Sequence, residues 1–493
     1  MKQKKAIIIG SGIAGLAAAI RLGVQGYEVN VFEANQYPGG KLSSFDEQGY
    51  FFDAGPSLFT QPANVEELFI LANEPIEDYF KYTSSEIACR YFFENGKKIT
   101  AYTQKEKFSE ELSLQLGEHP QAAIKYLSAA EKLYRNVGMI FLNFSLHKTA
   151  TWVHKRVWKA FSTIRYSNLF STLNRHNQFN FQTPEAIQIF NRFATYNGSN
   201  PYKAPGMLSV IPHLEQNEGT FYPYGGMISI THALYNLALK KGVRFHFNQA
   251  VNKIIHSKGR VTGIASNDDV YEADVVISNA DIFHTYKYLL QDLTVANKIE
   301  KIERSSSALI FYWGIEKEFQ DLGLHNILFS KNYQEEFDCL FNKKIIHSDP
   351  TIYINITSKM EQGQAPEGAE NWFVMINAPT NEGQDWPKII AETRKNVIEK
   401  INRILKVDVE SLIKVEKIMD PIEIEKKTNT FKGSLYGTSS NSLFSAFFRP
   451  ANFTSKYKGL YFCGGTVHPG GGIPLCLKSA YIATELIKKD ASK

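Results

Sequence analysis

The sequence predicts an α/β fold: a Rossmann-like parallel sheet whose chain is interrupted by an inserted mixed α+β region. Three observations carry this. Lys5 to Glu33 reads as strand, glycine turn, helix and strand. A second glycine-rich strand-to-helix turn lies near the C-terminus, from Gly459 to Ile473. Between the two, the α/β alternation lapses twice, from about 90 to 215 and from about 286 to 430.

Ala6 to Ile9 is the short β-branched run of a buried parallel strand. It leads into Gly10-Ser11-Gly12-Ile13-Ala14-Gly15, a G-x-G-x-x-G, then a helical stretch from Leu16 to Leu22 and a strand from Glu28 to Phe32 that ends at Glu33. Gly10 allows the tight turn, Gly12 lets the backbone approach a pyrophosphate, and Gly15 lets the helix pack on the strand. The helix N-terminus at Ile13 and Ala14 offers free N–H groups and a positive dipole end. Glu33 can accept hydrogen bonds from both ribose hydroxyls of an adenosine. A dinucleotide follows; FAD and NAD fit this stretch equally.

With 493 residues, 43% of them hydrophobic, the chain can bury more than one core. A net charge of +5 is too small to argue for nucleic acid, and no zinc-type spacing is present. The four cysteines are scattered without a C-x-x-C pair, so neither a disulfide framework nor a metal site is implied. The N-terminus runs directly into a strand and leaves no room for a cleavable signal, and no apolar run reaches the roughly 20 residues of a membrane span. The expectation is a cytoplasmic protein. The 34 Phe and 25 Tyr point to large apolar surfaces to line or to present.

Tyr37-Pro38-Gly39-Gly40-Lys41-Leu42 is a turn with free backbone N–H groups and a lysine able to meet phosphate. Phe51 to Leu58 is an apolar strand closing on the constrained turn Gly55-Pro56-Ser57-Leu58. This order of elements resembles the bacterial carotenoid desaturases, the phytoene desaturase family, within the amine-oxidase-like FAD superfamily. The resemblance implies an FAD-binding domain of the glutathione reductase and amine oxidase type from 1–90, 216–285 and 430–493. A substrate-binding domain from 91–215 and 286–429 is implied beside it.

From Lys132 to Pro184 there is no Asp or Glu, while Arg135, Lys148, Lys155, Arg156, Lys159, Arg165 and Arg175 alternate with Trp152, Val157, Trp158, Phe161 and Ile164. A basic helix edged with tryptophan suits a headgroup layer, so residues 132–184 are expected to form a membrane-facing lid that holds the enzyme peripherally on the bilayer.

The α/β pattern resumes with a helix from Ile228 to Lys240 and strands near Val243–Phe247, Gln249–Ile255, Val261–Ile264 and Ala273–Ile277. In the resembled family the Tyr222–Met227 and Asn279–Asp281 stretches border the cofactor, and the residue at Val251 meets the adenine through its backbone. Further strands are expected at Ala308–Ile315, Thr351–Thr357 and Trp372–Ala378, and a helix from Ala391 to about Lys406 with Pro387 upstream. Glu361 to Asn371 reads as an exposed loop.

Gly464-Gly465-Thr466-Val467-His468-Pro469-Gly470-Gly471-Gly472-Ile473-Pro474 decides the cofactor: a second glycine turn before a helix suits a long, two-ended FAD. Its helix N-terminus can stabilise negative charge on a reduced flavin. The resembled family carries Gly-x-Gly-Thr-His-Pro-Gly-x-Gly-Ile-Pro. Val467, inserted between Thr466 and His468, is closer to the desaturases of 1-hydroxylated carotenoids.

The resemblance implies loss of hydride from an allylic carbon to flavin N5 and of a proton from its neighbour, most specifically 3,4-desaturation of a 1-hydroxycarotenoid. Phytoene desaturation is the alternative. His468 is a weak candidate for the proton acceptor, and a membrane quinone or dioxygen would take the electrons. Two readings from other classes are an amine or protoporphyrinogen-type oxidase and a non-catalytic isoprenoid carrier.

Overall fold

The computed structural model describes residues 3–153, 157, 160, 164 and 166–492. Two sheets organise them. The first has five parallel strands in the spatial order Leu460–Phe462, Val275–Ser278, Lys5–Ile9, Glu28–Phe32 and Arg244–His246. Side chains alternate along a strand, so Lys5–Ile9 serves two cores at once. Ala6 and Ile8 face helices Ile13–Val24, Ile228–Lys240 and Ile473–Ala491, whereas Ile7 and Ile9 face a three-stranded antiparallel sheet formed by Val251–Ser257, Arg260–Ser266 and Asp269–Glu272. The first and last strands of the chain are separated only by Val275–Ser278, which brings both glycine turns to the same end of the sheet.

The second sheet has seven strands, in the order Ile413–Met419, Ser307–Ile315, Glu370–Ala378, Ile352–Ile356, His325–Leu328, Ile87–Phe92 and Lys98–Tyr102. Only His325–Leu328 and Ile87–Phe92 pair in parallel. Leu309, Phe311, Trp313 and Val374 bury one face under helix Trp386–Leu405. That helix starts earlier than the sequence suggests, because Asp385 caps it and Pro387 occupies its first turn. The other face, with Tyr91, Ile327, Tyr312 and Phe373, is turned to the helices between 105 and 216 and to the strand Tyr50–Asp53.

The cross-strand pairs of Ile87–Phe92 put it in the seven-stranded sheet. One sequence expectation is corrected here. Glu370 and Asn371 are buried instead of exposed, since Glu370 accepts from the Trp372 indole and Asn371 donates to the Phe51 carbonyl at the start of a central strand.

Candidate functional site

The first turn is built as its glycines require. Gly10 has φ +90° and donates to the Phe32 carbonyl at 2.8 Å, tying the turn to the neighbouring strand. A Cβ on Gly15 would stand 2.1 Å from the Gly10 carbonyl oxygen, so helix Ile13–Val24 lies directly on the strand end. That helix has no side-chain cap and no acid in its first turn, leaving the N–H groups at Ile13, Ala14 and Gly15 without intrahelical acceptors. The Tyr37–Leu42 turn closes over it: Gly39 donates to the Ser11 carbonyl at 2.9 Å, and Gly40 sits against Gly12.

Glu33 ends the second strand and is buried. One carboxylate oxygen accepts from the Ser11 N–H and hydroxyl, each at 2.8 Å, and the other from the Asn35 N–H at 2.9 Å and side-chain amide at 3.1 Å. The four acceptor positions of the carboxylate are thereby taken. Ribose hydroxyls would have to replace the two side-chain donors, Ser11 Oγ and Asn35 Nδ2. Val251 lies close by, since Gln249 donates its N–H to the Glu33 carbonyl.

Asn279 joins the two ends of the chain. Its N–H donates to the Ile9 carbonyl at 2.8 Å, and a Cβ on Gly12 would fall 2.8 Å from its Nδ2. A Cβ on Gly464 would fall 3.1 Å from its Oδ1. Gly464 (φ +109°) and Gly472 (φ +101°) bracket the second turn; Gly465 packs on Gly471, and Ile473 begins the last helix, again without a side-chain cap. Around Gly472 a Cβ would meet nothing within 4 Å, so space is open at that helix start.

Four charged side chains that sequence reasoning passed over, or read differently, surround this turn. Lys41 is half-buried, and its Nζ donates to the Leu435 carbonyl at 2.7 Å, with two further N–H groups to give. Burial lowers its pKa to about 8 despite the nearby Asp281. Arg304 is paired with Asp281 at 2.9 Å, both buried, and two of its nitrogens lack partners among the described residues. Arg449 donates to the Tyr436 carbonyl at 2.7 Å and packs on Gly470; burial pulls its pKa down to about 10. Two buried arginines and the half-buried Lys41 against one carboxylate make a site that favours an anion. Arg304 and Arg449 lie in no sequence motif, so only folding reveals them beside Lys41.

The Gly55-Pro56-Ser57-Leu58 turn sits between the sheets. Asp53, just before it, accepts from the N–H groups of Met227 (2.9 Å) and Ile228 (3.3 Å) at the start of helix Ile228–Lys240. Its burial nevertheless raises its pKa to about 7. Tyr312 donates to the Ala54 carbonyl at 3.0 Å and the Tyr353 hydroxyl meets Ser57 Oγ at 2.9 Å, fastening the turn to the seven-stranded sheet. Pro56 is exposed, while Ser57 and Leu58 are half-buried.

His468 lies within the second glycine turn. It is fully buried, its Nε2 donates to the Phe144 carbonyl at 3.0 Å, and its ring packs edge-on against Phe141. Burial lowers its pKa to about 4. The imidazole therefore fastens the C-terminal turn to the helical segment. A cleft of about 460 Å³ opens among Thr103, Glu131, Arg135, His213, Gln216 and Glu218. Polar side chains dominate it and no glycine-turn residue lines it, so it is not one of the large apolar surfaces that the Phe and Tyr content suggests. Among the described residues no cluster of His, Cys, Asp and Glu is arranged to hold a metal, and no helix is long and apolar enough to cross a membrane. Lys155, Arg156, Lys159, Trp158 and Phe161 lie outside the described residues.

Residues 13–488 match the model of the flavin containing amine oxidoreductase family. The chain is 49% identical, over 98% of its length and 99% of the relative's, to a 1-hydroxycarotenoid 3,4-desaturase of a Flavobacterium species. It is 30% identical to a phytoene desaturase of Fusarium fujikuroi, over 99% of this chain and 90% of that one. An oxidoreductase from Methanosarcina mazei superposes with a TM-score of 0.65 at 17% identity, covering 98% of this chain and all of that one, a likeness of fold. The carrier reading falls away: this chain is an FAD-dependent oxidoreductase and belongs to the flavin containing amine oxidoreductase family, in its bacterial carotenoid desaturase branch.

Proposed function

We propose that the protein is a carotenoid desaturase that removes two hydrogens from a carbon–carbon single bond beside a polyene, acting on the 3,4 bond of a 1-hydroxylated, acyclic-ended carotenoid. The observation that carries this reading is near full-length identity of 49% to a relative named for that reaction. The fold also supports it, through an aromatic sheet face (Tyr312, Phe373, Tyr353) beside the turn expected at the cofactor.

When bound, FAD supplies the hydride acceptor. The chain's residues do the rest. Gly10, Gly12, Ile13, Ala14 and Gly15 would hold the pyrophosphate, Glu33 the ribose and Val251 the adenine. Gly40, Lys41, Pro56, Ser57, Leu58, Asn279, Gly464, Gly465, Gly472 and Ile473 would surround the remainder. Lys41, Arg304 and Arg449 favour negative charge there. The aromatic sheet face holds an apolar chain and excludes water, which serves a reaction with no polar group to activate.

The segment around 132–184 remains our proposed membrane surface. Trp152, Val153 and Phe444 are exposed, Trp152 stacks on Phe448, and Lys148 lies four residues before Trp152 in the chain. A quinone in that membrane, or dioxygen, would reoxidise the enzyme.

The test is incubation of the flavin-loaded protein with phytoene and with 1-hydroxylated γ-carotene or lycopene derivatives. A red shift in the absorbance of the hydroxylated carotenoids alone is expected. Turnover of phytoene alone would transfer the assignment to phytoene desaturation.

A further inference from the structure

His325 opens the strand His325–Leu328 and is 3% exposed. It stands opposite Asn355, on the same sheet face as Ile327, Tyr353 and Tyr91. Its Nδ1 lies 2.7 Å from the Tyr353 hydroxyl and 3.2 Å from Asn355 Nδ2. The Asn355 amide is oriented by a second hydrogen bond, from the same nitrogen to the Leu324 carbonyl at 3.0 Å. Nδ1 therefore faces a donor and must be an acceptor, which puts the ring proton on Nε2. That Nε2–H is buried and has no partner among the described residues. Leaving such a donor unpaired is costly, so the position calls for an oxygen.

The neighbouring polar groups do not supply one. Arg192 is engaged with Tyr91 at 2.7 Å and with Glu215, and Tyr196 with Glu215 as well. Burial and the charge of Arg192 keep His325 neutral, with its pKa lowered to about 3, so it remains a single-proton donor across the physiological range.

We propose that His325 reads the hydroxyl of the substrate's end group, its Nε2–H donating to that oxygen inside the sheet face. This rests on the 1-hydroxylated substrate proposed above. The location suits the chemistry. With Nδ1 accepting from Tyr353, the Tyr353 oxygen is free to accept from Ser57 at 2.9 Å, so two hydrogen bonds connect His325 to the turn expected beside the flavin. In a 1-hydroxylated chain the oxygen is three bonds from C3, so a group that reads it must lie near the point of hydrogen removal. A buried donor of this kind also discriminates strongly, because a substrate lacking the oxygen leaves it unpaired.

The experiment compares kcat/KM for a 1-hydroxylated carotenoid and for its non-hydroxylated counterpart in detergent micelles, using flavin-loaded wild type, His325→Leu and His325→Gln. Binding of the hydroxylated carotenoid, followed by its absorbance shift, gives a second readout. Flavin content and melting temperature identify variants that fail to fold. His325→Leu is expected to lose about 10- to 100-fold on the hydroxylated substrate alone, and in its affinity, with partial recovery in His325→Gln, which keeps an N–H donor. Equal losses on both substrates, or no loss on either, would overturn the proposal; no loss would leave a buried water as the partner of Nε2. A wild type without preference for the hydroxylated carotenoid would instead overturn the substrate reading.

Discussion

A methyl group on Gly12 would lie 2.8 Å from the side-chain nitrogen of Asn279. This closeness is how the nucleotide turn and the C-terminal turn share one site, since the same amide also borders Gly464. Gly12→Ala should lower FAD occupancy about 10-fold or more, read from the flavin absorbance of the purified protein. Because the clash is with a side chain, Asn279→Ala in the same chain should recover part of the loss. Gly15→Ala should not be rescued, for its Cβ meets the Gly10 backbone at 2.1 Å.

Lys41 is a half-buried cation whose pKa is lowered to about 8. An anionic ligand beside it favours the protonated form, so FAD should bind more weakly as pH rises above 8, by up to about tenfold per pH unit. Titration with FAD by fluorescence quenching between pH 7 and 9.5 measures this. Lys41→Met should flatten the profile and weaken binding at pH 7.

Asp53 caps helix Ile228–Lys240 from a buried position. Its folded pKa of about 7 lies above the unfolded value, so its contribution to stability is fully present below about pH 4 and is lost as pH rises through 7. Asp53→Asn should remove that dependence. Asp53→Ala, which gives up the cap, should cost about 1–2 kcal/mol in urea unfolding at neutral pH.

His468 has the opposite sign. With its folded pKa lowered to about 4, the stability it contributes is present above about 6.5 and is lost as pH falls through 4, by roughly 3 kcal/mol in full. Unfolding midpoints from pH 7.5 down to 4 check this. His468→Asn should show a shallower decline.

Phe444 and Val153 are 72% and 79% exposed. Replacing both with serine should reduce co-sedimentation with anionic liposomes several-fold while flavin content stays unchanged. Equal binding by the double variant would remove this patch from the proposed membrane surface.

By itself the sequence determined the parallel sheet, both glycine turns and the flavin chemistry. These depend on local conditions: the β-branched run Ala6–Ile9, glycines where a Cβ would clash, and helix starts without side-chain caps. Folding decided what depends on partners distant in the chain. Glu33 finds its acceptor positions filled by Ser11 and Asn35, Lys41 turns to the Leu435 carbonyl, and His468 is consumed by the Phe144 carbonyl. Arg304, Arg449 and the Tyr353–His325 pair enter the account only because strands far apart in sequence lie side by side. Spacing along a chain reports which backbone shapes are possible, whereas the charge and hydrogen-bonding capacity left for a ligand are what remains after every buried polar group has found its partner.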